Sequence, residues 1–291
     1  MELKGVYTAL VTPFSESGKV DYSKLKELVK MQVAAGVSGI VPVGTTGESP
    51  TLSMDEHMKV IETTIDIAAG KVQIIAGTGA NSTAEAVELT KAAKKAGADA
   101  SLQVTPYYNK PSQEGLYRHF SIVAEESNLP IVLYNVPGRA GAEIALGTVK
   151  RLAENELIVA IKEAAGSVER VSEICDICDL TVLSGDDSLT LPMMSVGATG
   201  VISVASNIIP ADMVAMLNAF ENGDIAKARG YHAKYYRLFS DLFIETNPVP
   251  VKAALAMMNI IEEYYRLPLC VMNESNRDVL HNTLRKCGLV A

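Results

Sequence analysis

The stretch LIVAIKEAAG, Leu157 to Gly166, runs apolar for five residues, turns charged at Lys162 and Glu163, and breaks at Gly166. A β-branched run that is apolar at consecutive positions reads as a strand buried on both faces, as in a parallel sheet covered by helices. Lys162 then stands where the strand leaves the core for the loops. Water is scarce there, and burial disfavours an ammonium ion. Only a neutral amine attacks a carbonyl, and a lysine with the ordinary pKa of about 10.4 is neutral in roughly one molecule in a few thousand at pH 7. Lys162 is therefore a candidate Schiff-base nucleophile. The same position also suits a structural lysine, paired with a carboxylate or reaching to solvent.

Outward from this stretch the pattern is one repeated unit: a short apolar run, a glycine- or threonine-rich turn, then an amphipathic segment. The first strand is read from Val6 to Val11 and the second from Gly39 to Val43, followed by Gly44-Thr45-Thr46-Gly47. The third runs from Val72 to Ala76, the fourth from Ala100 to Val104, and the fifth from Ile131 to Tyr134. The strand carrying Lys162 is the sixth; Leu180 to Leu183 and Gly200 to Val204 complete the set. Asp21 opens a helix with Leu25, Leu28, Val29 and Val33 on one face. Further amphipathic segments span 54–69, 83–96, 113–127, 143–154, 168–178 and 187–195. Strands alternating with helices through short connections make right-handed βαβ units and a parallel sheet. Eight of them over roughly 220 residues predict a closed (β/α)8 TIM barrel, an α/β fold.

The strand signal stops after Pro210. Tyr231, Tyr235, Leu238, Phe239, Leu242 and Phe243 then form a helical stripe, read as core or subunit contact. Asn247-Pro248-Val249-Pro250 breaks it, and two more helices are expected near 251–261 and 273–287. The chain thus divides into a catalytic barrel, 1–222, and a C-terminal helical subdomain, 223–291.

The 291 residues are 48% hydrophobic and 21% charged, an ordinary globular composition with length enough for such a barrel. The net charge of −8, with no basic block, argues against nucleic acid as a partner. No run reaches the length of a membrane span, and MELKGVYTAL lacks the pattern of a secretion signal, so a cytoplasmic enzyme is expected. Cys175 and Cys178 form a CxxC on the apolar face of one helix, with no second pair and no histidine nearby. They read as buried small hydrophobes rather than metal or redox groups. His57, His119, His232 and His281 are dispersed, so no metal is expected. Gly77-Thr78-Gly79 lacks the third glycine of a dinucleotide turn.

A barrel of this kind places its active site at the C-terminal ends of the strands. Those ends gather Thr45 and Thr46, Tyr108, Tyr134 and Arg139, Lys162, and Gly185. The set suits imine chemistry. Phenols and hydroxyls relay protons without a competing full charge, backbone N–H groups of Gly44–Gly47 offer donors to a carboxylate, and Arg139 can clamp a second one. Tyr134 by itself would equally be a core tyrosine, and Arg139 by itself a solvated loop residue.

The segments GVYTALVTPF, GTTGES, TPYYNKPSQEGLYRHF, LYNVPGR, IKEAAG, LSGDD and GVISV occur in this order. Together they resemble the dihydrodipicolinate synthase branch of the N-acetylneuraminate lyase family of class I aldolases, from about residue 4 to 289. The resemblance implies that pyruvate forms a Schiff base on Lys162, with no other cofactor. Its enamine would attack L-aspartate 4-semialdehyde, on the way to lysine and diaminopimelate. It implies Tyr134 as proton donor and acceptor, with Thr45 and Tyr108 completing the relay and Tyr108 reaching in from a neighbouring subunit. Thr46 would hold the pyruvate carboxylate, the main chain at Ile202 would contact pyruvate, and Arg139 would bind the semialdehyde carboxylate. Gly185 and Asp186 would line the entrance. A homotetramer, built as a dimer of dimers, is implied.

Many relatives in this branch are inhibited by L-lysine, and the matching positions are Ser49, His57, Asn81, Glu85 and Tyr107. Met54 stands where some lysine-sensitive members have histidine, Pro50 where they have a small residue, and Ala165 where many members have Ser or Thr. Two other functions stay open on the sequence: a related pyruvate-dependent lyase of sialic acid or 2-keto-3-deoxy sugar acids, and a catalytically silent sensor of a keto acid or lysine.

Overall fold

Eight short runs rich in Val and Ile become strands in the computed structural model, which describes residues Met1–Ala291. They are β1 (Gly5–Ala9), β2 (Gly39–Val41), β3 (Gln73–Gly77), β4 (Ala100–Val104), β5 (Ile131–Asn135), β6 (Ile158–Glu163), β7 (Thr181–Ser184) and β8 (Gly200–Ser203). Each pairs in parallel with the next, and β8 pairs with β1, so the barrel closes. Three strands, β1, β2 and β8, end sooner than the apolar runs do. Val43 has φ 50°, a left-handed conformation that ends β2. Beyond β1, the Val11 N–H donates to the Asn207 side chain at 3.1 Å instead of to a ladder.

The helices outside the barrel are α1 (Tyr22–Ala35), α2 (Met54–Ala68), α3 (Thr83–Ala96), α4 (Gln113–Ser127), α5 (Pro137–Ala140), α6 (Leu146–Leu152), α7 (Val168–Ile177), α8 (Thr190–Met194) and α9 (Pro210–Glu221). Their starts are set locally. Asp21 caps α1, and Ser53, Ser82, Ser112 and Ser167 cap α2, α3, α4 and α7 through their hydroxyls. Ser53 and Glu56 form a reciprocal capping box. Two segments hold less α-helix than their periodicity suggests. Ala145 is extended before α6, its N–H held by the Gln113 side chain. Asp187–Leu189 is a 3-10 turn ahead of α8.

After α9 the chain forms α10 (Ile225–Asp241), α11 (Val249–Met257) and α12 (Glu274–Lys286). Here α11 starts earlier than expected, since Pro250 fits the first turn of a helix. Tyr235, Leu238, Phe239 and Leu242 from the aromatic stripe are buried, whereas Phe243 is exposed. Leu255, Leu280 and Leu284 join one apolar core with Leu25, Val29 and Met213, so the extension packs on the barrel's helical layer. A separate cluster fills the barrel, including Tyr7, Leu102, Val132, Tyr134, Ala160, Leu183 and Ile202.

The cysteine expectation is corrected. Cys175 is exposed and Cys178 half-buried, and all four cysteines are unpaired. The buried face of α7 is Arg170, Val171 and Ile174, and the next residue along the helix turns away from it. No group of three or more His, Cys, Asp or Glu side chains is placed to hold a metal ion. No helix is long and apolar enough to cross a membrane.

Candidate active site

Lys162 owes its direction to one extra residue. Ile131 on β5 pairs with Ile158 on β6, but Val132 pairs with Ala160, so Val159 is a bulge. The shift sets Tyr134 opposite Lys162 and Asn135 opposite Glu163. Without it Tyr134 would face Ile161, and Lys162 would point at the helical layer. Instead, Lys162 and Tyr134 share the inner face of the barrel. Lys162 is 5% exposed, and its Nζ lies 4.2 Å from the centre of the Tyr134 ring. It belongs to none of the molecule's ion pairs, though buried ammonium groups normally have one. The ion-paired alternative for this lysine is therefore absent, although the Asp186 and Asp187 carboxyls feel its charge.

Behind this pair, on the outer face, lies a closed polar network. The fully buried Glu163 carboxylate accepts from Asn135 Nδ2 at 2.9 and 3.1 Å, Ala165 N at 2.9 Å and Arg170 Nε at 2.9 Å. Arg170 also donates to the Ile144 carbonyl and pairs with Glu143 at 3.0 Å, while Asn135 Oδ1 accepts from Ile144 N. Burial pushes the Glu163 carboxyl up, and Arg170 and Asn135 oppose it. The residues following Tyr134 and Lys162 are thus locked together across the two strands.

A cavity of about 210 Å³ opens at the barrel mouth, lined by Thr45, Ser49, Tyr107, Tyr134 and Arg139 among others. Lys162 is not on its wall; it lies against the ring of Tyr134, which is. Thr45 and Thr46 form a 3-10 turn after β2, where the first N–H groups of a helix are left unpaired. Thr45 is half-buried and Thr46 buried. Thr46 Oγ1 accepts from Asn247 Nδ2 at 2.9 Å, and Arg139 Nη2 donates to the Asn247 carbonyl at 3.1 Å. Two residues on, Glu48 pairs with Lys252 of α11, both side chains wholly buried. Phe14 lies 4.2 Å from Lys252 Nζ, and the Arg266 N–H donates to Glu48 Oε2 at 3.3 Å. Burial pulls Lys252 down and the Glu48 charge opposes it.

The remaining strand ends close the ring. Ile202 is fully buried on β8. Gly185 follows β7 and packs so closely that a Cβ there would meet Ala164 Cβ at 2.5 Å. Asp186 is half-buried; burial raises its carboxyl, with the Lys162 charge opposing. Asp187 is buried and accepts from Val204 N and Ala205 N, which ties the β7 loop to the end of β8.

Tyr108 stands apart from its own cavity, 90% exposed with φ 70°. Of the residues matched to lysine inhibition, Ser49 and Tyr107 line the cavity. His57 is buried, its Nε2 2.8 Å from the Gly77 carbonyl, and burial lowers its pKa. Asn81 donates to the Tyr107 carbonyl at 3.3 Å. Burial and the Glu85 charge raise the Tyr107 phenol.

Sequence reading missed Asn247, Lys252, Arg170 and the role of Glu163. For Lys252 a signal existed: a lone lysine in VPVKAALAM, a helix otherwise apolar all round, needs a buried partner. Asn247 was hidden inside a segment read as a helix breaker.

A model of the dihydrodipicolinate synthetase family matches residues 2–287. The chain is 51% identical over 289 residues to a 4-hydroxy-tetrahydrodipicolinate synthase of Thermodesulfovibrio yellowstonii, covering 99% of each. The solved 4-hydroxy-tetrahydrodipicolinate synthase of Methylacidiphilum fumariolicum superposes with TM-score 0.97 at 51% identity, covering 99% of this chain and 96% of that one. A lysine-bound structure of the same enzyme from Cyanidioschyzon merolae gives TM-score 0.96 at 41% identity, covering 99% of both.

Proposed function

The chain belongs to the dihydrodipicolinate synthetase family, and from that premise we propose how its residues carry the reaction. The enzyme condenses pyruvate with L-aspartate 4-semialdehyde to give 4-hydroxy-tetrahydrodipicolinate, in lysine and diaminopimelate biosynthesis. The observation that carries the mechanism is Lys162: buried, without an ion-pair partner, and against the Tyr134 ring.

In our reading the Lys162 amine adds to the keto carbon of pyruvate. The carbinolamine loses water to form the imine, so no other cofactor is needed. Loss of a methyl proton gives the enamine, whose carbon attacks the semialdehyde carbonyl. The product's own amine then displaces Lys162 as the ring closes, which frees the lysine. Tyr134 gives and takes the protons. Thr45 links Tyr134 to Tyr108, and the exposure of Tyr108 fits its use by a second copy of the chain. Thr46 and the Ile202 main chain hold pyruvate, Arg139 holds the semialdehyde carboxylate, and Gly185 and Asp186 shape the entrance.

A site completed by Tyr108 of another subunit requires an oligomer, proposed as a tetramer built from two dimers. We place L-lysine against Ser49, His57, Asn81, Glu85 and Tyr107, supported by the lysine-bound relative and by the Glu85 charge beside Tyr107. Activity that stays flat under millimolar lysine would remove that site. We also divide the chain into a barrel, 1–222, and a helical subdomain, 223–291, working in the cytoplasm.

Turnover with a panel of aldehydes tests the reading. Pyruvate should be consumed with aspartate semialdehyde and not with N-acetylmannosamine or glyceraldehyde. Preference for a sugar aldehyde would contradict it.

A further inference from the structure

We propose that Asn247 is a positioning residue of the substrate site, making the Thr46 hydroxyl a hydrogen-bond donor and fixing the plane of Arg139. The inference rests on the roles proposed above for Thr46 and Arg139. Asn247 lies between α10 and α11 and is 5% exposed; its contact with Thr46 is buried, and its contact with the exposed Arg139 is partly so. It touches both residues at once, through its side-chain amide to Thr46 and its main-chain carbonyl to Arg139.

A hydroxyl has one proton and two lone pairs. At Thr46 one lone pair is taken by Asn247 Nδ2–H, a group that cannot accept. In this orientation of the amide, whose Oδ1 is buried without a donor, no protein atom takes the Thr46 proton. Neighbouring threonines behave differently. Thr51 donates to the Glu48 carbonyl at 3.0 Å and Thr12 to the Gly47 carbonyl at 2.7 Å, so their protons are used within the fold. Around the turn, Thr46 is thereby left with a proton for an acceptor-only group, which a keto-acid carboxylate is. At Arg139, tying one Nη2–H to the Asn247 carbonyl sets the plane of a rigid five-donor fork and leaves its other donors for a second carboxylate. One residue of the C-terminal extension therefore orients the groups meant for both substrates.

The proposal predicts an order that a purely structural role would not produce. Asn247→Ala removes the amide and should raise the KM for pyruvate about three- to tenfold, the size of one hydrogen bond, with kcat changed less than about twofold. Asn247→Asp offers only acceptors, takes the Thr46 proton and sets a negative charge near the carboxylate. It should raise that KM at least about another tenfold and weaken semialdehyde binding through Arg139. In a Thr46→Val background, Asn247→Ala should add nothing further, because its effect acts through that hydroxyl.

Steady-state kinetics on these variants, with melting temperatures alongside, tests this. Equal KM for the Ala and Asp variants, an undiminished effect of Asn247→Ala in the Thr46→Val background, or a change in melting temperature alone would overturn it. If the Asp variant fails to fold, the Ala variant and its cycle with Thr46→Val decide the matter. Wild-type enzyme that captures no pyruvate would instead remove the underlying reading of the site.

Discussion

The β5–β6 wall and the turn after β2 each carry candidate reactive side chains, and each is backed by a buried ion pair. In the wall, Glu163 is met by Arg170, by Asn135 and by the Ala165 N–H, on top of the strand ladder. At the turn, Glu48 is met by Lys252 and by one main-chain N–H, and its own φ of 56° is left-handed. The wall is over-determined: remove one partner and others hold the carboxylate. The turn depends on single contacts from a distant part of the chain. Similar chemistry should therefore fail very differently in the two places.

The largest effect is expected at Lys252. Lys252→Met leaves Glu48 charged and unpaired where neither side chain is exposed, and should destabilise by about 3–5 kcal/mol in urea or guanidinium unfolding. Pairing it with Glu48→Gln should recover most of that stability, since a buried pair replaced by neutral groups is often close to neutral. Turnover should stay low in the double variant, because the Thr45-Thr46 turn has lost its anchor. Full activity there would show that the turn holds its shape without the buried pair. Arg170→Met tests the wall. Glu163 keeps Asn135 and Ala165, so about 1.5–3 kcal/mol is expected, the size of a hydrogen bond to a charged group. A loss as large as that of Lys252→Met would show the wall is not redundant.

Gly185→Ala should cost about 1–3 kcal/mol, because the added methyl meets Ala164 Cβ and the Glu163 carbonyl. Thermal melting would detect it. The smallest effect is a pH dependence beside the turn, at Glu56 of α2. The Arg266 guanidinium holds the Glu56 carboxyl down to about 2, below the ordinary value of about 4.3. A depressed folded pKa gives a contribution that is complete above pH of about 4.3 and is lost as pH falls toward about 2. Arg266→Met should flatten the fall in stability across that window. An unchanged slope in acid unfolding would contradict the assignment.

The same contrast governs what could be read from sequence. The wall is local: Tyr134, Asn135, Lys162, Glu163 and Arg170 lie within one βαβ unit and its neighbour, and strand periodicity placed the first and third at the barrel rim. Even there the Val159 bulge, which decides the face Lys162 takes, leaves no mark in the run of apolar residues. The turn is not local. Glu48 and Lys252 are 204 residues apart and Thr46 and Asn247 are 201, so no pattern in either segment names its partner. Cys175 failed for a smaller reason. The helical face was drawn one position too wide, and 100° of rotation separates a buried residue from an exposed one.

The whole reaction depends on Lys162 as the nucleophile. Incubating the enzyme with pyruvate, reducing with borohydride and locating the adduct by mass spectrometry measures that role. A reduced pyruvate adduct is expected on Lys162, and on no other lysine, including the buried Lys252. An adduct elsewhere, or none on folded protein, would show that Lys162 is structural.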